Sequence, residues 1–324
     1  MCNLAWFTWG VPVVELSRIN VGLKGLTLLT IILVSTILTL TYYAHQGSQR
    51  EVVVVGAPTI LYNAGLAQRL LEDFKFNLGY KVEFRYVVRG TGDLLRLLAD
   101  GSLCLAFTLL PPLERRYAEE GKINWHGVFA YNYFIIVGPR EDPAGVSKAS
   151  NVTEAFKRIF DGGERGVAVF VSRGDLSGTH VRELQIWSLA GLKPEGKRWY
   201  LRTSQGAPET LITASNLKAY TFVDEGTFKE LKSRGKVGDL EVLFTQDTYL
   251  LVNVYSIVTS RHDRCKGGHL EELLRSIVEY VLGEGQDVLE REYAVKGVFY
   301  PARGRSELLE IWRQLSALEV RQGG

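Results

Sequence analysis

The sequence predicts an α/β protein of two lobes, crossed twice by the chain and preceded by one apolar helix. Three observations carry that expectation. From residue 51 the apolar pattern runs strand, helix, strand, helix, strand; a second β/α series fills 138–250; and a long apolar strand at 250–260 returns the chain toward the first series. Alternating β and α segments imply parallel strands covered by helices, with ligands received at the carboxyl ends of the strands. At 324 residues the chain exceeds one ordinary core and suits two lobes with something added.

The addition lies at the front. Gly25 to Ala44, GLTLLTIILVSTILTLTYYA, carries no charge. Twenty helical residues at about 1.5 Å each span a hydrocarbon core of roughly 30 Å. A cleavable signal has a shorter apolar region and ends in small residues, whereas this run ends in Thr-Tyr-Tyr-Ala-His-Gln. The expectation is a transmembrane anchor at 25–44, with a cleaved signal as the alternative. Tyr42 and Tyr43 suit the interface, and Arg18 and Lys24 place 1–24 in the cytoplasm and the body outside the membrane.

After a polar linker, EVVVVGAP (51–58) is a continuous β-branched run and reads as a buried parallel strand. LYNAGLAQRLLEDFKFNLG (61–79) has helical spacing and a glycine stop. KVEFRYVVRGTG (81–92) alternates as a strand, DLLRLLADGS is helical, and LCLAFTLLPP (103–112) is another buried strand. YNYFIIVGPREDP (131–143) reads as a strand leaving that sheet, followed by helix NVTEAFKRIFDGG and strand GVAVFVS. WYLRTSQGAP, helix ETLITASNL, strand AYTFVDEG, helix TFKELKSRG and strand LEVLFTQ complete the second series. Beyond strand 250–260, the segment LEELLRSIVEYVLGEGQDVLEREYAVKG reads as two helices. Lobe one is expected at 51–135 plus 255–302, lobe two at 138–250 and hinges near 131–138 and 244–256. The helix SELLEIWRQLSALEV, within 303–324, is an accessory cover.

Composition removes several function classes. A net charge of +2 without a long basic run argues against nucleic acid. Cys2, Cys104 and Cys265 are scattered, with no CxxC, so neither a disulfide framework nor a zinc site is indicated. One Cys104–Cys265 bridge remains open outside the cytoplasm. No metal site and no cofactor are expected.

The chemistry concentrates in FVSRGDLSGTHVREL (170–184), a strand that breaks into a polar loop and then a helix. Ser177 and Thr179 can cap that helix. Gly174 and Gly178 leave backbone open to a close ligand, and a helix N-terminus favours an anion. Arg173 adds a forked set of donors matched to an oxyanion, and the hydroxyls of Ser172, Ser177 and Thr179 can each donate. Asp175 stands as a loop or cap residue, or as an acceptor for a ligand proton. Thr59 and Thr91 follow the first two strands at similar polar junctions, and Arg89 could add a second charge. Ser177, His180 and Asp175 sit too close in sequence to imply an independently oriented base, and there is no G-x-S-x-G elbow. An enzyme is not expected.

SRGDLSGTHVRELQIWSLAG, together with WYLRTSQG, AYTFVDEGTF, LEVLF, YNYFIIVGPREDPAGV and GEGQDVLEREYAVKGVFYP, resembles the TupA-type tungstate-binding proteins over about 51–302. Those are extracytoplasmic solute-binding components of ABC importers. A looser likeness is to phosphate-binding proteins. The resemblance implies a two-lobed type II periplasmic-binding-protein fold. It further implies a tetrahedral oxyanion ligand, tungstate first and then molybdate, with an ABC permease and ATPase as partners. By matching position, Ser172, Arg173, Ser177, Gly178 and Thr179 would bind the oxyanion from lobe two, and Thr59 and Thr91 from lobe one.

This chain also departs from the family. Pro58-Thr59-Ile60-Leu61 keeps a single hydroxyl where members carry several, and the third strand ends in Thr108-Leu109-Leu110-Pro111-Pro112 rather than in polar residues. The lobe-one half of the site is thus depleted, which admits a different oxyanion or one with an apolar part near Ile60 and Leu61. The alternatives are a membrane-anchored sensor or module of altered anion specificity, or phosphate-type binding.

Overall fold

The computed structural model describes residues 23–46, 51–245 and 249–318. It divides into two units, Met1–Arg50 and Glu51–Gly324.

In the first unit, α1 spans Leu23–Gln46. The side chains of 27–39 are exposed throughout. The hydroxyls of Thr30, Ser35 and Thr39 donate back to the carbonyls of Thr27, Ile32 and Ser35, which satisfies them inside the helix. Among the described residues no helix is long and apolar enough to cross a membrane. The anchor expected at 25–44 is therefore not shown. Thr27, Thr30, Ser35, Thr36 and Thr39 interrupt its apolar run. The expected cytoplasmic segment lies almost wholly outside the described residues.

The second unit runs β1 (Glu51–Ala57), α2 (Thr59–Asn63), α3 (Leu66–Leu78), β2 (Val82–Val88), α4 (Thr91–Ala99), β3 (Leu105–Thr108), α5 (Pro111–Glu119) and β4 (Ile123–Pro139). It continues α6 (Val152–Glu164), β5 (Phe170–Ser172), α7 (Gly178–Leu189), β6 (Tyr200–Arg202), α8 (Ala207–Asn216), β7 (Tyr220–Asp224), α9 (Glu225–Ser233) and β8 (Leu240–Phe244). β9 (Val252–Ser260), α10 (Gly268–Leu282), the single turn α11 (Gln286–Val288), β10 (Tyr300–Pro301) and α12 (Glu307–Ser316) complete it.

The strands order as β2-β1-β3-β9-β4-β7-β5-β6, with β8 and β10 also paired to β4. β1 is parallel to β2 and β3, and β5 is parallel to β6 and β7. β4 joins the two parallel sets. Its residues 123–133 pair with β9, and Phe134–Val137 pair with β7. Where the two long strands meet, buried Asn132 and Asn253 face each other. Asn253 Nδ2 donates to Asn132 Oδ1 at 3.1 Å and to Tyr255 Oη at 2.6 Å. Asn132 Oδ1 also accepts from Tyr255 Oη at 3.1 Å, while Asn132 Nδ2 is buried without a partner among the described residues. The Asn132–Asn253–Tyr255 set sits at the crossing and ties its two strands.

Apolar burial separates into two lobes. Val53, Val55, Leu70, Phe74, Phe107, Tyr255, Ile277 and Phe299 pack in one cluster; Phe134, Phe156, Phe170, Trp187, Tyr220 and Phe222 pack in another. α3 and α10 lay their apolar faces on the first. α6 and α7 cover the second around Trp187, which is ringed by Phe156, Phe170, Trp199 and Tyr200.

Several elements differ from the sequence expectation. The helix read at 61–79 is two, because Gly65 takes a left-handed conformation (φ 72°) and ends the first turn. Pro111 and Pro112, read as a strand end, instead open α5, where their missing N–H groups cost nothing. β4 begins at Ile123, upstream of the expected 131, because pairing with β9 outweighs the polar His126 and Gly127. Cys104 and Cys265 are bridged, with S–S 2.04 Å and Cα–Cα 5.4 Å, and so tie the approach to β3 to the loop after β9. α12 lies on α5 and the crossing strands: Trp312 packs on Trp125 at 4.2 Å between ring centroids, and its Nε1 donates to the fully buried Glu114 at 2.7 Å.

Candidate oxyanion site

The lobes face one another across a cleft of about 180 Å³. The first lobe presents Thr59, Ile60, Asn63 and Ala64 from α2 and its C-terminal edge, and Val298 and Phe299 from the segment before β10. The second presents Arg173, the first residues of α8, and Asp224, Thr227 and Glu230 around the start of α9. The lobes approach closely at two glycines, Gly226 on the cleft lining and Gly178 off it. A Cβ on Gly226 would lie 2.8 Å from Val298 Cγ1, and one on Gly178 would lie 2.5 Å from Leu109 Cδ1. The lobes are in contact, so the cleft is nearly closed.

β5 delivers the chain to Arg173, and Gly174 turns it in a left-handed conformation (φ 63°), where a Cβ would strike Arg202. α7 then starts at Gly178 behind the cap Ser177, whose Oγ accepts from the His180 N–H at 3.4 Å. Within the loop, Asp175 Oδ1 accepts from the Ser177 N–H at 3.1 Å and Leu176 N–H donates to His180 Nδ1 at 2.9 Å. The N–H groups of Gly178 and Thr179 have no acceptor among the described residues, as first-turn amides do when no cap reaches them. Arg173 is 11% exposed and gives Nη2 to Asp175 Oδ2 at 2.5 Å. Its buried Nε has no partner. A buried guanidinium donor without an acceptor is costly, and an anion in the cleft would supply one.

Of the seven residues singled out from the sequence, Thr59 and Arg173 line this cleft together, one from each lobe. Gly178 and Thr179 are buried at the head of α7, off that lining and against Leu109. Ser177 is the helix cap. Ser172 turns away: its hydroxyl donates to Glu183 at 2.7 Å inside the second lobe. Thr91 is buried too, its Oγ1 accepting from the Leu109 N–H at 3.4 Å. Arg89 is exposed and donates to its neighbour's carbonyl.

Beneath α7 lies a polar set that the sequence reading left out. Glu183 is buried and also accepts from Tyr200 Oη at 2.7 Å and Trp187 Nε1 at 3.2 Å. Burial pushes its pKa up to about 7, although the three donors pull the other way. Arg182 is buried with no carboxylate partner among the described residues, giving Nη1 to the carbonyls of Leu250 at 2.8 Å and Val252 at 3.2 Å. Desolvation lowers its pKa to about 9. Burial also lowers the His180 pKa, and its Nδ1 is taken by Leu176, so Ser177, His180 and Asp175 do not form a nucleophile relay.

Asp224 was missed as well. It caps α9, taking the Thr227 N–H at 2.8 Å and hydroxyl at 2.6 Å. Burial raises its pKa, with the Thr227 bonds and the Arg173 charge acting against it. Asp followed three residues on by Thr, at the end of an apolar strand, is a readable cap signal. That the same carboxylate would line the cleft is set by the packing of the lobes.

Two β/α lobes, joined by paired crossover strands and facing each other across a cleft that Arg173 and Thr59 line, define the two-lobed binding-protein class of fold. The chain belongs to the PBP superfamily, whose domain model matches residues 43–284. It is similar to a solved protein from Geobacter sulfurreducens described as the tungstate ABC transporter (34% identity, 74% of this chain and 98% of that one, TM-score 0.61). It is also similar to the tungstate-binding protein TupA of Desulfovibrio alaskensis (29% identity, 78% and 98%, TM-score 0.66). An ABC transporter anion-binding protein of Haloferax volcanii is 36% identical over 185 residues, 56% of this chain; the match spans about half (51%) of that relative's length.

Proposed function

We propose that the protein is the extracytoplasmic solute-binding component of an ABC importer, closing its lobes on a tetrahedral oxyanion, with tungstate first and molybdate next. The observation that carries this reading is the pairing of Arg173, with its unpartnered buried Nε, and Thr59 on opposite walls of one cleft. Each lobe contributes part of the donor set, so the ligand favours the closed state by its differential affinity. Closure then presents a distinct surface to a permease and its ATPase. Asp224 favours a second reading, phosphate-type binding, because its carboxylate on the cleft wall can accept a proton that a dianion such as tungstate lacks.

Calorimetry with tungstate, molybdate, phosphate and sulfate tests the assignment. Micromolar or tighter binding of tungstate, weakened about a hundredfold by Arg173→Ala (roughly 2.7 kcal/mol), is expected. Unchanged affinity in that variant would remove Arg173 from the site, and phosphate outranking tungstate would favour the second reading.

A further inference from the structure

We infer that the cleft takes oxyanions carrying a short organic substituent, with the anionic head at Arg173 and the substituent on Ile60, Ala64, Leu231 and Val298; the inference rests on the oxyanion reading above.

The volume of the cleft is the first observation. About 180 Å³ holds roughly six water-sized groups at about 30 Å³ each. A phosphonate head fills three of those places with its oxygens, leaving space for about three more groups.

The lining is the second. Ile60 and Ala64 stand on the first lobe's wall beside Thr59, the residue that begins α2, and Val298 continues that wall. Leu231 faces them from α9. None of these side chains can donate to an oxygen, and ordered water against them would forgo hydrogen bonds. A methyl or ethyl group there exchanges water contact for apolar contact at about fourfold in affinity per carbon.

Charge is the third. Asp224 lies on the same cleft, only 2% exposed, and Arg173 is already neutralised in part by Asp175. Glu230 and Arg234, also on the lining, pair with each other at 2.9 Å, so the cleft offers little excess positive charge. A singly charged head meets less repulsion from Asp224 than a dianion does, and a ligand hydroxyl has an acceptor in the same carboxylate.

The test is calorimetry on the full chain with tungstate, phosphate, methylphosphonate and ethylphosphonate, repeated with Ile60→Ser and Arg173→Ala. Ethylphosphonate is expected to bind on the order of tenfold tighter than phosphate. Ile60→Ser should erase most of that advantage while leaving phosphate and tungstate affinities within about twofold, a pattern that loss of folding would not produce. If tungstate or phosphate binds in an Arg173-dependent way and the alkyl groups add nothing, the inference falls and the oxyanion site stands. If no probe binds, or none depends on Arg173, both fall.

Discussion

Gly178 and Leu109 meet across the two lobes with no room for a methyl group: a Cβ on Gly178 would sit 2.5 Å from Leu109 Cδ1 and 3.2 Å from its carbonyl oxygen. Gly178 is the first residue of α7 and Leu109 follows β3, so the contact is made only when the lobes are together. Gly178→Ala should hold them apart. Because the leucine side chain can swing but its backbone cannot, the expected effect is partial: oxyanion affinity down about tenfold, or roughly 1.4 kcal/mol, with the ligand-induced fall in radius of gyration reduced. An unchanged affinity and an unchanged scattering curve would show that the two residues part before the ligand is held.

Asp175 competes with any anion for Arg173. Its two oxygens already take the guanidinium and the Ser177 N–H, two donors that an oxyanion would use. Asp175→Asn removes the negative charge and keeps the shape. Release of a like charge a few ångströms away is worth about 1 kcal/mol in a partly solvated cleft, so tungstate should bind about fivefold tighter at low salt, with the difference shrinking in high salt. Weaker binding at every salt concentration would mean that Asp175 serves to aim Arg173 rather than to occupy it.

The sequence made some of this legible and hid the rest, for physical reasons. The continuous β-branched run Val52–Val55 reads as parallel strand and is one. Such a run is expected to be buried on both faces, but only Val53 and Val55 are, with Val52 and Val54 exposed. The strand–loop–helix order around Arg173 follows from local turn and cap chemistry. What a side chain meets across the fold is not local. Ser172 reads as a ligand donor until Glu183, eleven residues later on the inner face of α7, takes its hydroxyl. Thr91 looks like its counterpart at Thr59 but turns beneath Leu109. Cys104 and Cys265 stand 161 residues apart, and only the pairing of β3 with β9 shows that they meet.

That bridge predicts its own stability effect. It closes a long loop in the unfolded chain, which by chain entropy is worth several kcal/mol. Cys265→Ser should lower unfolding stability by roughly 2–5 kcal/mol in urea melts and leave tungstate affinity close to that of the parent, since both cysteines lie in the first lobe away from the cleft lining. A variant that keeps full stability would show that the unfolded chain gains little freedom when the bridge is absent.

Glu183 makes the pH dependence of folding run against the usual direction for a carboxylate. Its pKa is raised by burial from 4.5 to about 7, so between those values the folded protein retains a proton that the unfolded chain has released. Stability contributed by this group is complete below about pH 4.5 and declines as pH rises to about 7. Two and a half pH units at about 1.4 kcal/mol each amount to a loss on the order of 3 kcal/mol. Glu183→Gln keeps an acceptor for Tyr200, Trp187 and Ser172 and cannot ionise. Urea unfolding at pH 5 and pH 7.5 should show the parent losing more stability than the variant over that interval. Parallel pH profiles would mean that the carboxylate ionises in place, held by its three donors, and that burial does not govern its titration.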